Sequence, residues 1–151
     1  MGLSNFRFFS SDLDGTLLGV VESAAQFKQI WEREPAGERP LLCYNTGRLL
    51  DDVLQLIANG RLPQPDYIIS GVGTSVYDTG TGQVLKQFTE VLDEGWNLET
   101  VEKTLGQLDL PLEKQPAHYQ NAYKSSWCQM PVWLRPWAAK IRRRMMPVWR
   151  P

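Results

Sequence analysis

Apolar positions in the first 70 residues switch between two periods, and the switching sets out the fold. Residues 5–11 form an apolar run around Phe6, Phe8 and Phe9 that stops at an Asp/Gly cluster, the pattern of a buried strand. Ala24, Phe27, Ile30 and Trp31 then recur at helical spacing over residues 22–33, and Pro35-Ala36-Gly37 ends that helix. Leu41-Leu42-Cys43-Tyr44 reads as a second strand. Leu49, Leu50, Val53, Leu54 and Ile57 mark one face of a second helix closed by Asn59-Gly60, and residues 66–70 form a third strand. Strands joined by single helices predict right-handed parallel crossovers and hence an α/β fold. Farther on, residues 74–78 and 83–87 flank Thr79-Gly80-Thr81-Gly82 as a hairpin. A helix is expected over 97–108, with Val101, Leu105 and Leu108 on one side, and another strand over 121–127.

Composition adds constraints. A chain of 151 residues, 42% apolar and 22% charged, has the length of one domain with a real core. No apolar run approaches the roughly 20 residues of a membrane span, and no charged-then-apolar leader precedes the first strand, so no membrane partner is expected. Cys43 and Cys128 make no disulfide framework, which predicts a reduced, cytoplasmic setting. His118 is the single histidine, which excludes a multi-histidine metal site.

The net charge of −1 conceals an asymmetry. All 17 acidic residues precede residue 127, whereas residues 127–151 carry six basic residues, four of the six tryptophans and four of the ten prolines. The tail also repeats itself, as Met130-Pro131-Val132-Trp133 and Met146-Pro147-Val148-Trp149. The abrupt change favours an out-of-frame or truncated C-terminus over a genuine basic segment. The run Lys140-Ile141-Arg142-Arg143-Arg144 has the composition of an anionic-surface binder, but the surrounding prolines oppose a long surface helix, and no nucleic-acid partner is expected.

The candidate chemistry lies at the ends of the strands, where open α/β sheets bind ligands. Asp12-Leu13-Asp14-Gly15-Thr16 follows the first strand and Asn45-Thr46-Gly47-Arg48 the second. Carboxylates two residues apart face the same way if extended geometry persists, and Gly15 lets the chain turn sharply behind them. Like charges that close call for a cation, and hard oxygen donors suit Mg²⁺. One carboxylate can attack phosphorus while the other exchanges protons with the leaving oxygen and with water. A calcium loop does not fit, because the third acid and the terminal Glu are missing. Thr46 offers a hydroxyl to phosphate beside a helix N-terminus, or else caps that helix. Arg48 pairs with phosphate or is a solvated first-turn residue, and Gly71-Val72-Gly73 donates N–H groups to a ligand or forms a tight turn. His118 and Lys124 read as surface or packing residues.

The segment Phe8-Phe9-Ser10-Ser11-Asp12-Leu13-Asp14-Gly15-Thr16-Leu17-Leu18 resembles the first motif of the haloacid dehalogenase superfamily of phosphatases. Tyr44-Asn45-Thr46-Gly47-Arg48, together with residues 65–77, is similar to the sucrose-phosphate phosphatase branch, which inserts a sugar-recognising α/β cap after the hairpin. The resemblance implies a partial Rossmann-like parallel-sheet core over 1–89, the start of a cap over 90–126, and an aberrant basic tail over 127–151. It makes Asp12 the nucleophile and Asp14 the general acid/base. Thr46, Gly47 and Arg48 become the phosphate and substrate site. Mg²⁺ is held at Asp12 and Asp14, through the first carboxylate and the second carbonyl. The implied activity is hydrolysis of a sugar-phosphate monoester, such as sucrose 6-phosphate, with a sugar-phosphate synthase as candidate partner. The family's later Lys and Gly-Asp-x-x-x-Asp motifs have no counterpart, since no Asp or Glu follows Glu113. Weak catalysis and an uncovered sheet edge are therefore expected, with a non-catalytic phosphate- or sugar-binding remnant as the alternative.

Overall fold

The computed structural model describes residues 6–108 and 110–129. They divide into two units, one made of residues 6–96 with Asn121–Lys124, the other of the remaining residues from Asn97 onward.

The first unit is built on β1 (Phe8–Ser11), α1 (Val21–Arg33), β2 (Leu41–Asn45), α2 (Leu50–Ala58), β3 (Tyr67–Ser70), β4 (Ser75–Asp78), β5 (Gln83–Val84) and α3 (Lys86–Asp93). The strands form one sheet in the order β1-β2-β3-β4-β5. β1, β2 and β3 run parallel, β4 pairs antiparallel with β3, and β5 pairs antiparallel with β4. This is the α/β architecture that the alternating periods predict, with each parallel crossover carrying one helix.

A single core joins the sheet to both crossover helices. Leu42, Tyr44 and Ile68 from the strands are buried together with Ala24 and Trp31 of α1, Val53 and Leu56 of α2, and Leu13 and Leu62. Phe9 on β1 meets Phe27 and Trp31 on α1 at ring-centroid distances of 5.7 and 5.8 Å, and those two rings are 5.5 Å apart. Aromatic pairs in this range contribute about 0.5–1.5 kcal/mol beyond their burial, which ties α1 to an otherwise lightly covered strand. Among the described residues β1 is one edge of the sheet and β5 the other, and Phe8 on β1 stays 53% exposed. Tyr44 is fully buried and its hydroxyl donates to the Pro63 carbonyl at 2.9 Å. Cys43 is also buried, in keeping with a core role.

The second unit contains α4 (Leu98–Gln107), β6 (Leu112–Lys114), a short 3₁₀ turn (Ala117–Tyr119) and β7 (Trp127–Gln129). Asn97 caps α4, its side chain accepting the Thr100 N–H at 2.7 Å. β6 and β7 pair antiparallel, and Lys114 of β6 forms an ion pair with Glu102 of α4.

Two expectations are corrected. Residues 83–87 are not one strand: pairing ends at Val84, and α3 starts at Lys86 because Phe88, Val91 and Leu92 recur at helical spacing. Residues 121–127 are not a strand either. Asn121–Lys124 is a tight turn in which the Asn121 carboxamide oxygen accepts the Tyr123 N–H at 2.8 Å, and only Trp127 onward is extended. Asn5 and the repeats and basic run of the tail lie outside the described residues.

Candidate active site

Strand register places the two predicted clusters side by side. Ser11 is opposite Tyr44 and Asn45 is opposite Ile69, so Asp12, Thr46 and Gly71 all emerge from the carboxyl edge of the parallel strands.

After β1 the chain enters a wide turn, Leu13–Leu17, closed by the Leu18 N–H bonding to the Leu13 carbonyl at 2.8 Å. Strand geometry thus stops at Ser11, but the alternation survives: Leu13 is fully buried between exposed Asp12 and exposed Asp14. Gly15 has φ +74°, a conformation that an L side chain adopts only under strain. The Thr16 hydroxyl donates to Asp12 Oδ2 at 3.2 Å, so Thr16 serves the first carboxylate rather than capping α1, whose N-cap is Val20.

Across the edge, Arg48 forms a two-pronged pair with Asp14, with Nε 2.9 Å from Oδ2 and Nη2 2.7 Å from Oδ1. The two side chains are 35% and 56% exposed, so the pair adds little to stability and its value is positional. It joins the two clusters across 34 residues of sequence.

Thr46 is 3% exposed. Its hydroxyl oxygen accepts the Arg48 N–H at 3.2 Å, which spends none of its own proton. It does not cap α2, which begins at Leu50 with Leu49 as N-cap. The helix N-terminus is also a poorer anion donor than expected, because Asp51 and Asp52 occupy its first turn. Any anion met here would find its donors in the loop itself rather than at the helix N-terminus.

That loop is gripped from behind. The N–H groups of Gly71 and Val72 donate to the carbonyls of Arg48 (2.7 Å) and Thr46 (3.2 Å). The Gly71-Val72-Gly73 segment is thus a tight turn whose Gly71 and Val72 amides hold the protein rather than a ligand. Val72 has φ +64°, an outlier for a β-branched residue that the bonds on either side hold in place. Lys124, expected from sequence as a surface or packing residue, sends its ammonium to the Gly47 carbonyl at 2.9 Å. Nothing local in sequence signals that contact, because 77 residues separate the partners. His118 lies in the second unit, its ring tilted 45° against that of Tyr119 at a centroid distance of 4.2 Å.

Mg²⁺ takes oxygen ligands and often needs only one or two carboxylates beside waters and a substrate phosphate. The exposed Asp12 carboxylate, bonded through one oxygen to Thr16, offers donors of that kind, and the Asp14 carbonyl follows two residues on. Among the described residues no group of three or more His, Cys, Asp or Glu side chains converges. The residues present therefore fit a lightly held ion that relies on water and phosphate for the rest of its shell.

Parallel strands with paired carboxylates after the first and a threonine loop after the second are the arrangement of the haloacid dehalogenase class of phosphatases. A family model described as sucrose-6F-phosphate phosphohydrolase matches residues 6–146. The chain belongs to that family, the sucrose-phosphate phosphatase-like branch of the class. It is 36% identical over 121 residues to a mannosylfructose-phosphate phosphatase of Agrobacterium fabrum, covering 80% of this chain and 48% of that protein. It is 37% identical over 87 residues to a glucosylglycerol-phosphate synthase of Pseudomonas anguilliseptica, covering 58% of this chain and 11% of that one. The fold matches the sucrose-phosphatase of Synechocystis sp., solved with sucrose and phosphate, at a TM-score of 0.71 and 22% identity, over 97% of this chain and 59% of that one. The chain thus spans about half the length of the phosphatase relative, and the family match runs on past Trp127, where the composition changes. Among the described residues no helix is long and apolar enough to cross a membrane.

Proposed function

We propose that this chain carries the nucleophile half of a Mg²⁺-dependent phosphatase for a sugar-phosphate monoester of the sucrose 6-phosphate kind. The observation that carries the reading is the Asp14–Arg48 pair, which joins the paired carboxylates to the Thr46–Arg48 loop at one sheet edge.

In this reading an Asp12 carboxylate oxygen attacks phosphorus as the bond to the sugar oxygen breaks, leaving an aspartyl-phosphate on Asp12. Asp14 gives a proton to the departing alkoxide and then takes one from the water that hydrolyses the intermediate. The Thr46 hydroxyl and the loop amide of Gly47 hold the phosphoryl oxygens. Arg48 changes partner: a dianionic phosphate competes with Asp14 for the guanidinium, and its departure releases Asp14 for proton transfer. The Asp12 carboxylate and the Asp14 carbonyl would hold Mg²⁺, which would supply neutralisation of the charge on the transferred group.

Turnover by these 151 residues taken alone is expected to be weak, because none of them after Glu113 is an acid that could complete a metal shell. The same observation favours a second reading, a phosphate- or sugar-binding remnant without turnover. The domain limits 1–89, 90–126 and 127–151 and a cytoplasmic location belong to the proposal as well. So does a sugar-phosphate synthase as partner, supported by the similarity to a synthase over 87 residues. Phosphate release from sucrose 6-phosphate and related sugar phosphates, with and without Mg²⁺, tests the reading in the wild type and in Asp12→Asn. Loss of Mg²⁺-dependent release in the variant is expected, and equal release by both proteins defeats the assignment.

A further inference from the structure

The loop that follows β2 is held by more than its own strand and helix. Each of its three carbonyls has a partner: Thr46 accepts from Val72, Gly47 from Lys124 and Arg48 from Gly71. Two of these donors are neighbouring amides of one turn. The third is a lysine ammonium on the Asn121–Lys124 turn, which returns to this unit from between stretches of the other.

The bond from Lys124 has a defined consequence. The Gly47 carbonyl and the Arg48 N–H belong to the same planar trans peptide and point in opposite directions. Lys124 holds the oxygen end at 2.9 Å, and the hydrogen end donates to the Thr46 hydroxyl at 3.2 Å. Pulling one end sets the other, so the ammonium fixes where the Thr46 hydroxyl finds its donor and leaves its proton to point elsewhere. The Gly47 carbonyl, which would repel an incoming anion, is turned away and charge-matched in the same contact.

Holding one carbonyl costs a lysine side-chain freedom, and the backbone that carries this one is separately fixed. The Asn121 carboxamide donates to the Thr74 hydroxyl at 2.8 Å, and the Trp96 indole N–H donates to the Ala122 carbonyl at 2.9 Å. The Tyr123 hydroxyl bonds Asp93, and Asn121 and Lys124 exchange backbone bonds of 3.2 and 3.3 Å. Asn121 also closes on Gly71, where an added Cβ would lie 2.7 Å from the carboxamide nitrogen. All four residues of the turn are thus tied to the protein.

We propose that Asn121–Lys124 is a clamp on the phosphate loop and that Lys124 is a positioning residue, setting the Gly47–Arg48 peptide and through it the Thr46 hydroxyl. The link to phosphate rests on the function proposed above, whereas the link to the peptide does not. The test compares the wild-type chain with Lys124→Met, which keeps the stem and removes the charge, and with Lys124→Arg. Two quantities are read: amide hydrogen exchange at Arg48, and affinity for inorganic phosphate in the presence of Mg²⁺. Lys124→Met should speed exchange at Arg48 about tenfold and weaken phosphate by a similar factor, with Lys124→Arg restoring both to within about threefold. A purely structural role would instead raise exchange across β1 and α1 as well. Unchanged Arg48 exchange in Lys124→Met overturns the clamp, whatever phosphate does. If Arg48 exchange responds as expected but the wild type binds no phosphate, the clamp stands and the phosphatase reading falls.

Discussion

Replacing Thr46 by valine removes one hydroxyl at nearly constant shape and separates the structural and functional roles of that residue. In the wild type the hydroxyl oxygen accepts the Arg48 N–H at 3.2 Å inside a site that is 3% exposed. The bond is long and Arg48 is partly exposed, so its loss should sit near the low end of the usual penalty, about 1 kcal/mol. For a chain of this length about 1 kcal/mol corresponds to a fall in Tm of roughly 2–4 °C. The effect on phosphate should be larger, because a hydrogen bond to a charged group contributes about 1.5–3 kcal/mol, or roughly 10- to 150-fold in affinity. Thr46→Ser keeps the hydroxyl and should retain most of the affinity. Thermal melts and calorimetric titration with inorganic phosphate in Mg²⁺ measure both quantities. Thr46→Val binding phosphate within about twofold of wild type would refute the role given to this side chain.

Other substitutions probe the frame around the site. Leu13→Ala empties a fully buried position between the two carboxylates and should cost about 2–5 kcal/mol, seen as a lower urea midpoint; a near-neutral result would mean that Leu13 does not anchor the turn. Gly71→Ala places a Cβ against the Thr74 hydroxyl and Asn121 at φ +62° and should destabilise by about 1–3 kcal/mol in the same assay. Burial raises the Tyr44 phenol above its ordinary value of 10.0, so above that pH the unfolded chain loses a proton that the folded chain keeps. Stability should therefore be unaffected by this group below pH 10.0 and fall as pH rises beyond it, and Tyr44→Phe should flatten the alkaline limb of the melting curve. An identical alkaline slope in that variant would remove Tyr44 as its source.

Most of the parallel core was legible because its signals are local. Leu42, Tyr44 and Ile68 sit in short apolar runs bounded by turn residues, and α1 and α2 show their buried faces at helical spacing. The carboxylate pair was legible for a similar reason, since Asp12 and Asp14 lie two apart at a strand end. The missed elements carry weaker local patterns. α3 follows β5 with one residue between, so the apolar Val84 and Leu85 masked the change of period, and three-residue β6 and β7 are too short to show one. The Asn121–Lys124 turn depends on an asparagine side chain bonding its own backbone, which outweighed a stretch that otherwise read as a strand. The contacts that assemble the site, Asp14 with Arg48 and Gly47 with Lys124, span 34 and 77 residues and exist only once the sheet and the turn have formed.

The proposed chemistry turns on Asp12 as the nucleophile. The most direct measurement is to incubate the chain with Mg²⁺ and a sugar phosphate, quench in acid and locate any phosphoryl group by peptide mass spectrometry. An acid-stable, alkali-labile label is expected on the peptide that carries Asp12, absent from Asp12→Asn. Sugar phosphate hydrolysed with no label at Asp12, or a label on another residue, would contradict it.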